Sequence, residues 1–204
     1  MVTEACPYVS RGGLKLRAAL DAFGVDVRQA VCADLGASIG GFTHCLIQAG
    51  AAKVYAVDTS YGVLAWLLRQ DSRVVAMERV NALHFDPGNL PDFTGCSLVC
   101  LDMGWTRQAH AVPAALRWLR RDGESRIVTL IKPHYEVGEP GGRRQPGILE
   151  DERAEAVLHD VLEAMPALGV EVLTWIESPI RGGGRRHRRQ GNREFLALLA
   201  PRAA

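Results

Sequence analysis

The sequence lacks an excess of charge of either sign, a paired cysteine motif and a long hydrophobic segment. A formal net charge of +1 gives no global basic field, so a nucleic-acid partner would have to be bound by a local patch. The five cysteines have no C-x-x-C spacing, which favours reduced thiols in a cytoplasmic protein over disulfides or a zinc site. No apolar run approaches the roughly 20 residues that span a bilayer, and the N-terminus has no secretion-signal pattern. We therefore expect neither a bound metal nor a membrane role.

Short apolar runs alternate with helical patterns along the whole chain, which predicts an α/β fold. A chain of 204 residues suits one buried core, so we predict a single domain over residues 1–204, with an N-terminal helical segment over 1–30 and the main core over 31–204. The predicted strands cover residues 31–34, 53–57, 74–77, 97–101, 126–131, 170–176 and 194–199. The predicted helices cover residues 14–23, 42–49, 63–69, 111–119 and 151–168, with Ser10 as the cap of the first and Leu67 on the apolar side of the third.

A glycine-rich turn follows the first predicted strand and precedes the second predicted helix. Gly36, Gly40 and Gly41 lack a Cβ atom, so the backbone can approach a ligand closely or adopt positive φ angles. The helix behind the turn presents free N–H groups and a partial positive charge, which suit a carboxylate or a phosphate. Asp58 ends the next strand about 20 residues later, where nucleotide-binding α/β folds bind a ribose. This arrangement predicts a nucleoside cofactor.

The order of the glycines narrows the choice of cofactor. With Asp34 two residues before the first glycine, the spacing Gly36-x-x-x-Gly40-Gly41 resembles the S-adenosylmethionine turn of class I methyltransferases more than the dinucleotide pattern G-x-G-x-x-G. Another nucleotide and a purely structural turn are the alternatives, and Asn81 is either an adenine contact or a turn asparagine. The predicted cofactor-binding residues are Asp34, Gly36, Ala37, Ser38, Gly40, Gly41, Phe42, Thr43, Asp58, Asn81 and Asp102.

Three charged residues occupy positions where a ligand of such a fold would bind. Asp102 and Lys132 each follow an apolar strand, and open α/β sheets bind ligands at the carboxyl ends of their strands. Burial at such a position would lower the pKa of the Lys132 amine and favour its neutral form. Lys15 lies one turn into the first helix, beside the unusual start Arg11-Gly12-Gly13, and an ordinary solvated lysine is the alternative there.

Arginine is concentrated in one stretch near the C-terminus. Residues 181–193 contain six arginines interspersed with glycine, which predicts a loop that binds a polyanion, with a solvated hairpin as the alternative. The glycine- and proline-rich residues 133–146 predict a second loop, either a substrate lid or a connection. The residues predicted to bind the substrate or a polyanion are Arg11, Arg181, Arg185, Arg186, Arg188, Arg189 and Arg193.

The chain resembles the FtsJ/RrmJ-like ribose 2′-O-methyltransferases, and within them the TlyA branch, also called the hemolysin A family. The order Lys15, Asp102, Lys132, Glu194 matches the catalytic tetrad of that family. Further matching segments are residues 8–16, 34–43, 55–58, 132–136, 178–181 and 191–195. The resemblance implies the fold of the class I S-adenosylmethionine-dependent methyltransferases. That fold is Rossmann-like, with a seven-stranded, mostly parallel sheet, an antiparallel last strand and helices on both faces.

The resemblance also implies a reaction and a role for each member of the tetrad. A ribose hydroxyl is a weak nucleophile at neutral pH, so its methylation needs a base and close alignment. Neutral Lys132 would be the base, while Lys15 would orient the acceptor and stabilise its developing negative charge. Asp102 would position the amines and the methyl donor, and Glu194 would pair with Lys15 or orient the acceptor. RNA, and ribosomal RNA in particular, would be the acceptor.

The chain departs from the family at positions that would face the acceptor. TlyA-like proteins usually begin with a small S4 RNA-binding domain, for which this sequence offers no segment. Gly104-Trp105 stands where the family has Ser-Phe, His134 replaces a glutamine, and His44 replaces an aspartate. Two other classes therefore stay open beside an RNA methyltransferase. One is an O-methyltransferase for a nucleoside or secondary metabolite, and the other is a non-catalytic protein that binds RNA or the ribosome.

Overall fold

Seven strands form one sheet in the computed structural model, which describes residues 6–137, 147–183 and 191–202. The strands are β1 (Val31–Leu35), β2 (Lys53–Asp58), β3 (Val74–Glu78), β4 (Leu98–Leu101), β5 (Arg126–Ile131), β6 (Val170–Glu177) and β7 (Phe195–Pro201). The helices are α1 (Gly12–Phe23), α2 (Gly41–Gln48), α3 (Trp66–Arg69), α4 (Gln108–Leu116), α5 (Pro133–Glu136) and α6 (Asp151–Ala164). Short 3₁₀ turns cover Pro87–Asn89 and Met165–Leu168.

The sheet has the order β3-β2-β1-β4-β5-β7-β6. Strands β1 to β5 pair in parallel, whereas β7 runs antiparallel to both β5 and β6. This topology confirms the predicted sheet, including the antiparallel last strand. The chain winds outward from β1 on both sides, so β1 and β4 form the point at which the strand order reverses. Open α/β sheets carry their ligand crevice at the carboxyl ends of the strands at this point.

Helices cover both faces of the sheet, each above its own apolar core. On one face, α1 and α2 bury Leu16, Leu20 and Leu46 against the strands. On the other face, Ala115 of α4 and Leu158 of α6 are buried against them. Burial on both faces explains why the central strands appear in the sequence as uninterrupted apolar runs.

The first helix begins differently from its prediction. Its N-cap is Arg11, no side chain caps it, and Ser10 contributes only its backbone carbonyl to the Gly13 N–H. The prediction that Ser10 caps this helix is therefore wrong. Tyr8 takes the space that a side chain at position 13 would need, so glycine lets the N-terminal segment fold back over the helix start.

The third predicted helix is shorter than its apolar pattern suggested. Only Trp66–Arg69 is helical, and Leu67, predicted on the apolar side, is 52% exposed. The preceding residues are held in an irregular conformation because Glu78 accepts a hydrogen bond from the Gly62 N–H. Glu78 also forms an ion pair with Arg69, so it fixes both ends of this segment.

The remaining helix boundaries shift by a few residues. The fourth predicted helix begins at Gln108 and ends at Leu116, and the last ends at Ala164, where a 3₁₀ turn carries the chain to Gly169. The predicted loop 133–146 starts with the helical turn Pro133–Glu136, and its residues 138–146 lie outside the described part. None of the helices in the described ranges has the length and apolar character needed to cross a membrane.

Candidate active site

A cavity of about 1020 Å³ opens at the carboxyl ends of the central parallel strands. Gly36, Asp58, Asp102 and Lys132, which end or follow β1, β2, β4 and β5, all line it. Further walls come from the N-terminal segment and from the residues before β7: Val9, Ser10, Arg11, Gly12, Lys15, Gly182, Gly183 and Glu194. The cavity therefore lies where the sheet topology places a ligand.

Glycine is required in the turn because other parts of the protein pack closely against its backbone. Gly36 has a φ of 94°, and a Cβ there would come within 2.7 Å of the Asp102 carbonyl oxygen. Gly40 also has a positive φ, and a Cβ there would overlap the Leu68 side chain, away from the cavity lining. A Cβ on Gly41 would overlap the Ser10 hydroxyl. Gly40 is not among the residues that line the cavity, and its predicted contact with the cofactor stays a prediction. Glycine at position 36 allows β1 and β4 to end side by side.

Asp34 and Thr43 stabilise the turn from below. The Asp34 Oδ2 atom accepts hydrogen bonds from the Thr43 N–H at 2.8 Å and from the Thr43 hydroxyl at 2.6 Å. Thr43 is fully buried and outside the cavity lining, so its side chain stabilises the turn, and its predicted contact with the cofactor stays a prediction. The Asp34 Oδ1 atom is buried at the cavity wall and has no partner among the described residues. Burial raises the pKa of Asp34 to about 7.

Asp58 and Asn81 combine a structural role with a place in the cavity wall. The Asp58 carboxylate accepts from the Ser38 N–H at 2.8 Å and from the Ser60 N–H at 2.7 Å, so it joins two turns. The Asn81 Oδ1 atom accepts from the Leu83 N–H at 3.0 Å, which is the turn asparagine of the alternative interpretation. Both side chains still line the cavity, together with the predicted residues Ala37, Ser38 and Phe42.

The four residues of the predicted tetrad meet in this cavity. Lys15 of α1 forms an ion pair with Glu194, and the two residues are only 9% and 4% exposed. Lys132 forms a second ion pair with Asp102. Glycine at position 182 is required here, because a Cβ there would overlap the Glu194 carboxylate. The solvated alternative for Lys15 is thus wrong.

The ionisation of Lys132 differs from its prediction. Burial acts to lower the pKa of the amine, but the neighbouring Asp102 and Glu194 carboxylates raise it, and the net direction is upward. The structure therefore favours the ammonium form of Lys132 over the neutral amine that the sequence predicted.

Three residues beside the tetrad were not predicted as site residues. They are Trp105, Tyr135 and His134. Trp105 is 61% exposed, has a φ of 61° and stacks on Tyr135 with ring centroids 4.8 Å apart. The Lys132 Nζ atom lies 5.6 Å from the Tyr135 ring centroid. His134 also lines the cavity, and burial, with Lys132 and Lys15 nearby, lowers its pKa to about 4. The signal available in the sequence was their position directly after Asp102 and Lys132.

The predicted RNA-binding arginines separate into three groups. Arg11 lines the cavity. Arg181 forms a bidentate ion pair with Asp151, and Arg193 bonds Glu177 and Glu155, so both have a structural role, and their predicted RNA contacts stay predictions. Arg185, Arg186, Arg188 and Arg189 lie outside the described residues.

Comparison with known proteins agrees with this geometry. The model of the FtsJ-like methyltransferases matches residues 8–199. The chain is 40% identical to YqxC of Bacillus subtilis, a candidate rRNA methyltransferase, over 94% of this chain and 65% of YqxC. It is 45% identical to the 16S/23S rRNA (cytidine-2′-O)-methyltransferase TlyA of Mycobacterium tuberculosis, over 66% of this chain and 50% of TlyA. It thus spans half to two thirds of the length of these relatives.

Solved structures of related proteins share this fold. A candidate hemolysin from Streptococcus thermophilus, 37% identical, superposes with a TM-score of 0.86 over 100% of this chain and 70% of that one. Solved S-adenosylmethionine-dependent methyltransferases with lower identity share the fold, which confirms the predicted class I fold. Because the family model covers nearly the whole chain, the protein belongs to the FtsJ-like methyltransferase family.

Proposed function

We propose that this protein transfers a methyl group from S-adenosylmethionine to a ribose 2′-hydroxyl of ribosomal RNA in the cytoplasm. The observation that carries the proposal is the convergence of Lys15, Asp102, Lys132 and Glu194 on one cavity at the carboxyl ends of the strands. The family uses S-adenosylmethionine, and the relative TlyA is named for cytidine 2′-O-methylation of rRNA.

The residues around the cavity fit such a cofactor. The unpartnered, buried Asp34 Oδ1 atom suits an ammonium donor such as the amino group of the methionine portion. The stretch from Gly36 to Phe42 lines the same end of the cavity. Asp58, at the end of β2, is placed to accept hydrogen bonds from ribose hydroxyls. The sulfonium of the cofactor supplies an electrophilic methyl carbon.

Proton transfer is controlled by the pair of Lys132 and Asp102. In the ammonium form Lys132 cannot accept the proton of an acceptor hydroxyl, so it acts as a base only after losing its own proton. The ion pair with the Asp102 carboxylate stabilises the ammonium form of Lys132. A second positive charge next to Asp102 would weaken this stabilisation and lower the pKa of Lys132. Lys15, held by Glu194, remains a cation that stabilises negative charge developing on the acceptor oxygen.

The stacked pair of Trp105 and Tyr135 supports a nucleotide as the acceptor. The two rings lie 29° from parallel, at the mouth of the cavity and next to Lys132. Exposed aromatic faces bind nucleobases by stacking, which contributes about 1–3 kcal/mol per base. A base stacked here would bring its own ribose towards the tetrad.

A small-molecule acceptor is the second candidate. Arg181 and Arg193 are neutralised by carboxylates of the chain, which leaves fewer cations for RNA phosphates around the cavity than the sequence suggested. The same tetrad could methylate the hydroxyl of a nucleoside or another small alcohol.

Tritium transfer from labelled S-adenosylmethionine distinguishes the two acceptors. Purified ribosomal RNA and a mixture of free nucleosides are offered separately, with Lys132→Ala as the inactive control. We expect label in the RNA only, and about a 10-fold higher KM for RNA with Trp105→Ala than with Trp105→Phe. Label in the nucleosides but not in RNA would overturn the proposal in favour of the second candidate.

A further inference from the structure

The connection between β2 and α3 exposes large apolar side chains that the proposed reaction does not use. Tyr61 is 69% exposed, Trp66 is 72% exposed, and Leu67 follows them on the surface. These side chains lie within seven residues of one another along the chain, and large exposed apolar patches mark binding surfaces.

This segment is held rigidly. Glu78 accepts from the Gly62 N–H at 2.8 Å and forms an ion pair with Arg69, whose Nε–H donates to the Leu64 carbonyl at 2.9 Å. Leu64 and Leu68 are buried beneath the segment. The exposed rings are therefore presented on a fixed backbone, which lowers the entropic cost of binding a partner.

A cation accompanies the exposed rings. The Arg79 guanidinium lies over the Tyr61 ring at 4.3 Å from its centroid, and its backbone N–H donates to the Ser60 carbonyl at 3.2 Å. Across the three described ranges, no carboxylate pairs with Arg79, whereas Arg69 and Arg73 are neutralised by Glu78 and Asp71. The surface therefore carries one positive charge that is available to a ligand.

The surface also borders the cavity. Ser60 and Val80 line the cavity, and they are the chain neighbours of Tyr61 and Arg79 respectively. An RNA strand that placed one nucleotide in the cavity would pass its flanking nucleotides over the rim on which Tyr61 and Arg79 stand.

We propose that Tyr61, Trp66 and Arg79 form a docking surface for single-stranded RNA that flanks the methylated nucleotide. Exposed aromatic rings stack on bases of any sequence, and an unpaired guanidinium binds a phosphate. The unpaired charge and the continuity with the cavity favour RNA over a protein partner, for which the apolar rings alone would suffice. This inference rests on the proposed function, because it requires RNA as the acceptor.

The test measures binding of the full chain to a fluorescein-labelled single-stranded RNA of mixed sequence by fluorescence anisotropy. Trp66→Ala and Tyr61→Ala should each weaken binding about 10-fold, and Trp66→Phe, which keeps a ring, should recover most of the affinity. Leu173→Ala, which removes an exposed apolar side chain from the opposite edge strand β6, is the matched control and should change nothing.

The salt dependence of RNA affinity measures the contribution of the Arg79 charge separately from that of the rings. Arg79→Ala should reduce the slope of log K against log salt by about one, while Arg121→Ala, an exposed arginine before β5 at the opposite end of the strands, should leave it unchanged. Unchanged RNA affinity and salt slope in Trp66→Ala, Tyr61→Ala and Arg79→Ala would overturn the inference. If these variants bound RNA normally but no longer associated with a second copy of the chain, the surface would be a protein-binding surface, and the inference would also be overturned.

Two controls keep this inference separate from the proposed function. Affinity for S-adenosylmethionine, measured by calorimetry, should be the same in every variant. Wild-type protein that methylates no RNA refutes the proposed function, whatever the variants do. Wild-type protein that methylates RNA, with variants that bind and methylate it equally well, refutes only the docking surface.

Discussion

Lys132 and Asp102 form an ion pair between the carboxyl ends of the adjacent strands β5 and β4. Burial acts to lower the pKa of the Lys132 amine, but the carboxylates of Asp102 and Glu194 raise it, and the net direction is upward. In the proposed mechanism, Lys132 therefore stays protonated until another cation approaches the Asp102 carboxylate. The proton state of the proposed base thus depends on what occupies the cavity.

Replacing Asp102 should make Lys132 easier to deprotonate. In Asp102→Asn, burial remains and the largest opposing charge is removed, so the pKa of Lys132 should fall. Competitive labelling of amines with acetic anhydride, read by mass spectrometry of peptides, should show increased labelling of Lys132 at mildly alkaline pH. Lys53, which begins β2 at the opposite end of the parallel strands, is the control. Equal labelling of Lys132 in both proteins would contradict the assignment.

Asp34 should make stability depend on pH in an unusual direction. Its pKa is raised from 3.8 to about 7, so the folded protein binds this proton more tightly than the unfolded chain. Its contribution to the free energy of unfolding is full below pH 3.8 and is lost as the pH rises to about 7. In Asp34→Asn, which keeps an acceptor for Thr43, this decline should be absent.

Urea unfolding of both proteins across this pH range measures the effect. The difference between the two curves is the relevant quantity, because His44 and His134, whose pKa values are lowered by burial, act in the opposite direction in both proteins. Parallel curves would show that Asp34 titrates normally in the folded state.

Gly182→Ala should impair methyl transfer without preventing cofactor binding. The added Cβ displaces the Glu194 carboxylate and releases Lys15 from its partner. A displacement of about 1 Å in a catalytic constellation can reduce the rate about 100-fold. Gly147→Ala, where a Cβ meets no atom of the described residues within 4 Å, is the matched control. Full activity of Gly182→Ala would mean that Glu194 does not position Lys15.

The arginines of the stretch 181–193 should differ in their effect on RNA binding. Arg193→Ala should lower the free energy of unfolding by about 1 kcal/mol, as expected for exposed ion pairs, and leave the salt slope of RNA binding unchanged. Joint replacement of Arg185, Arg186, Arg188 and Arg189 should reduce that slope by about one for each RNA phosphate that these side chains neutralise. A reduced slope for Arg193→Ala alone would show that its ion pairs yield to RNA.

The strands and the members of the site could be predicted because each leaves a local signature. Strands buried on both faces give apolar runs such as Arg126–Ile131, whose bounds the sequence predicted without error. Residues that end such strands, including Asp102 and Lys132, are placed in the cavity by topology alone. The resemblance to the family supplied Lys15 and Glu194, which no local pattern identifies as partners.

Pairing and exposure could not be predicted, because they depend on groups far apart in the chain. The pKa of Lys132 rises because of Asp102, 30 residues away. Leu67 is exposed because Glu78, from the next strand, fixes the segment before it. Thr43 turns inward because Asp34 lies beneath it. In each case, a tertiary contact decides between interpretations that the local sequence allows equally.

The central claim concerns the oxygen that receives the methyl group. Ribosomal RNA incubated with S-adenosylmethionine and either the wild-type protein or Lys132→Ala is digested to nucleosides and analysed by mass spectrometry. We expect a 2′-O-methylnucleoside to form with the wild-type protein and not with the variant, although both bind the cofactor equally. A methyl group on a nucleobase, or equal yields from the two proteins, would contradict it.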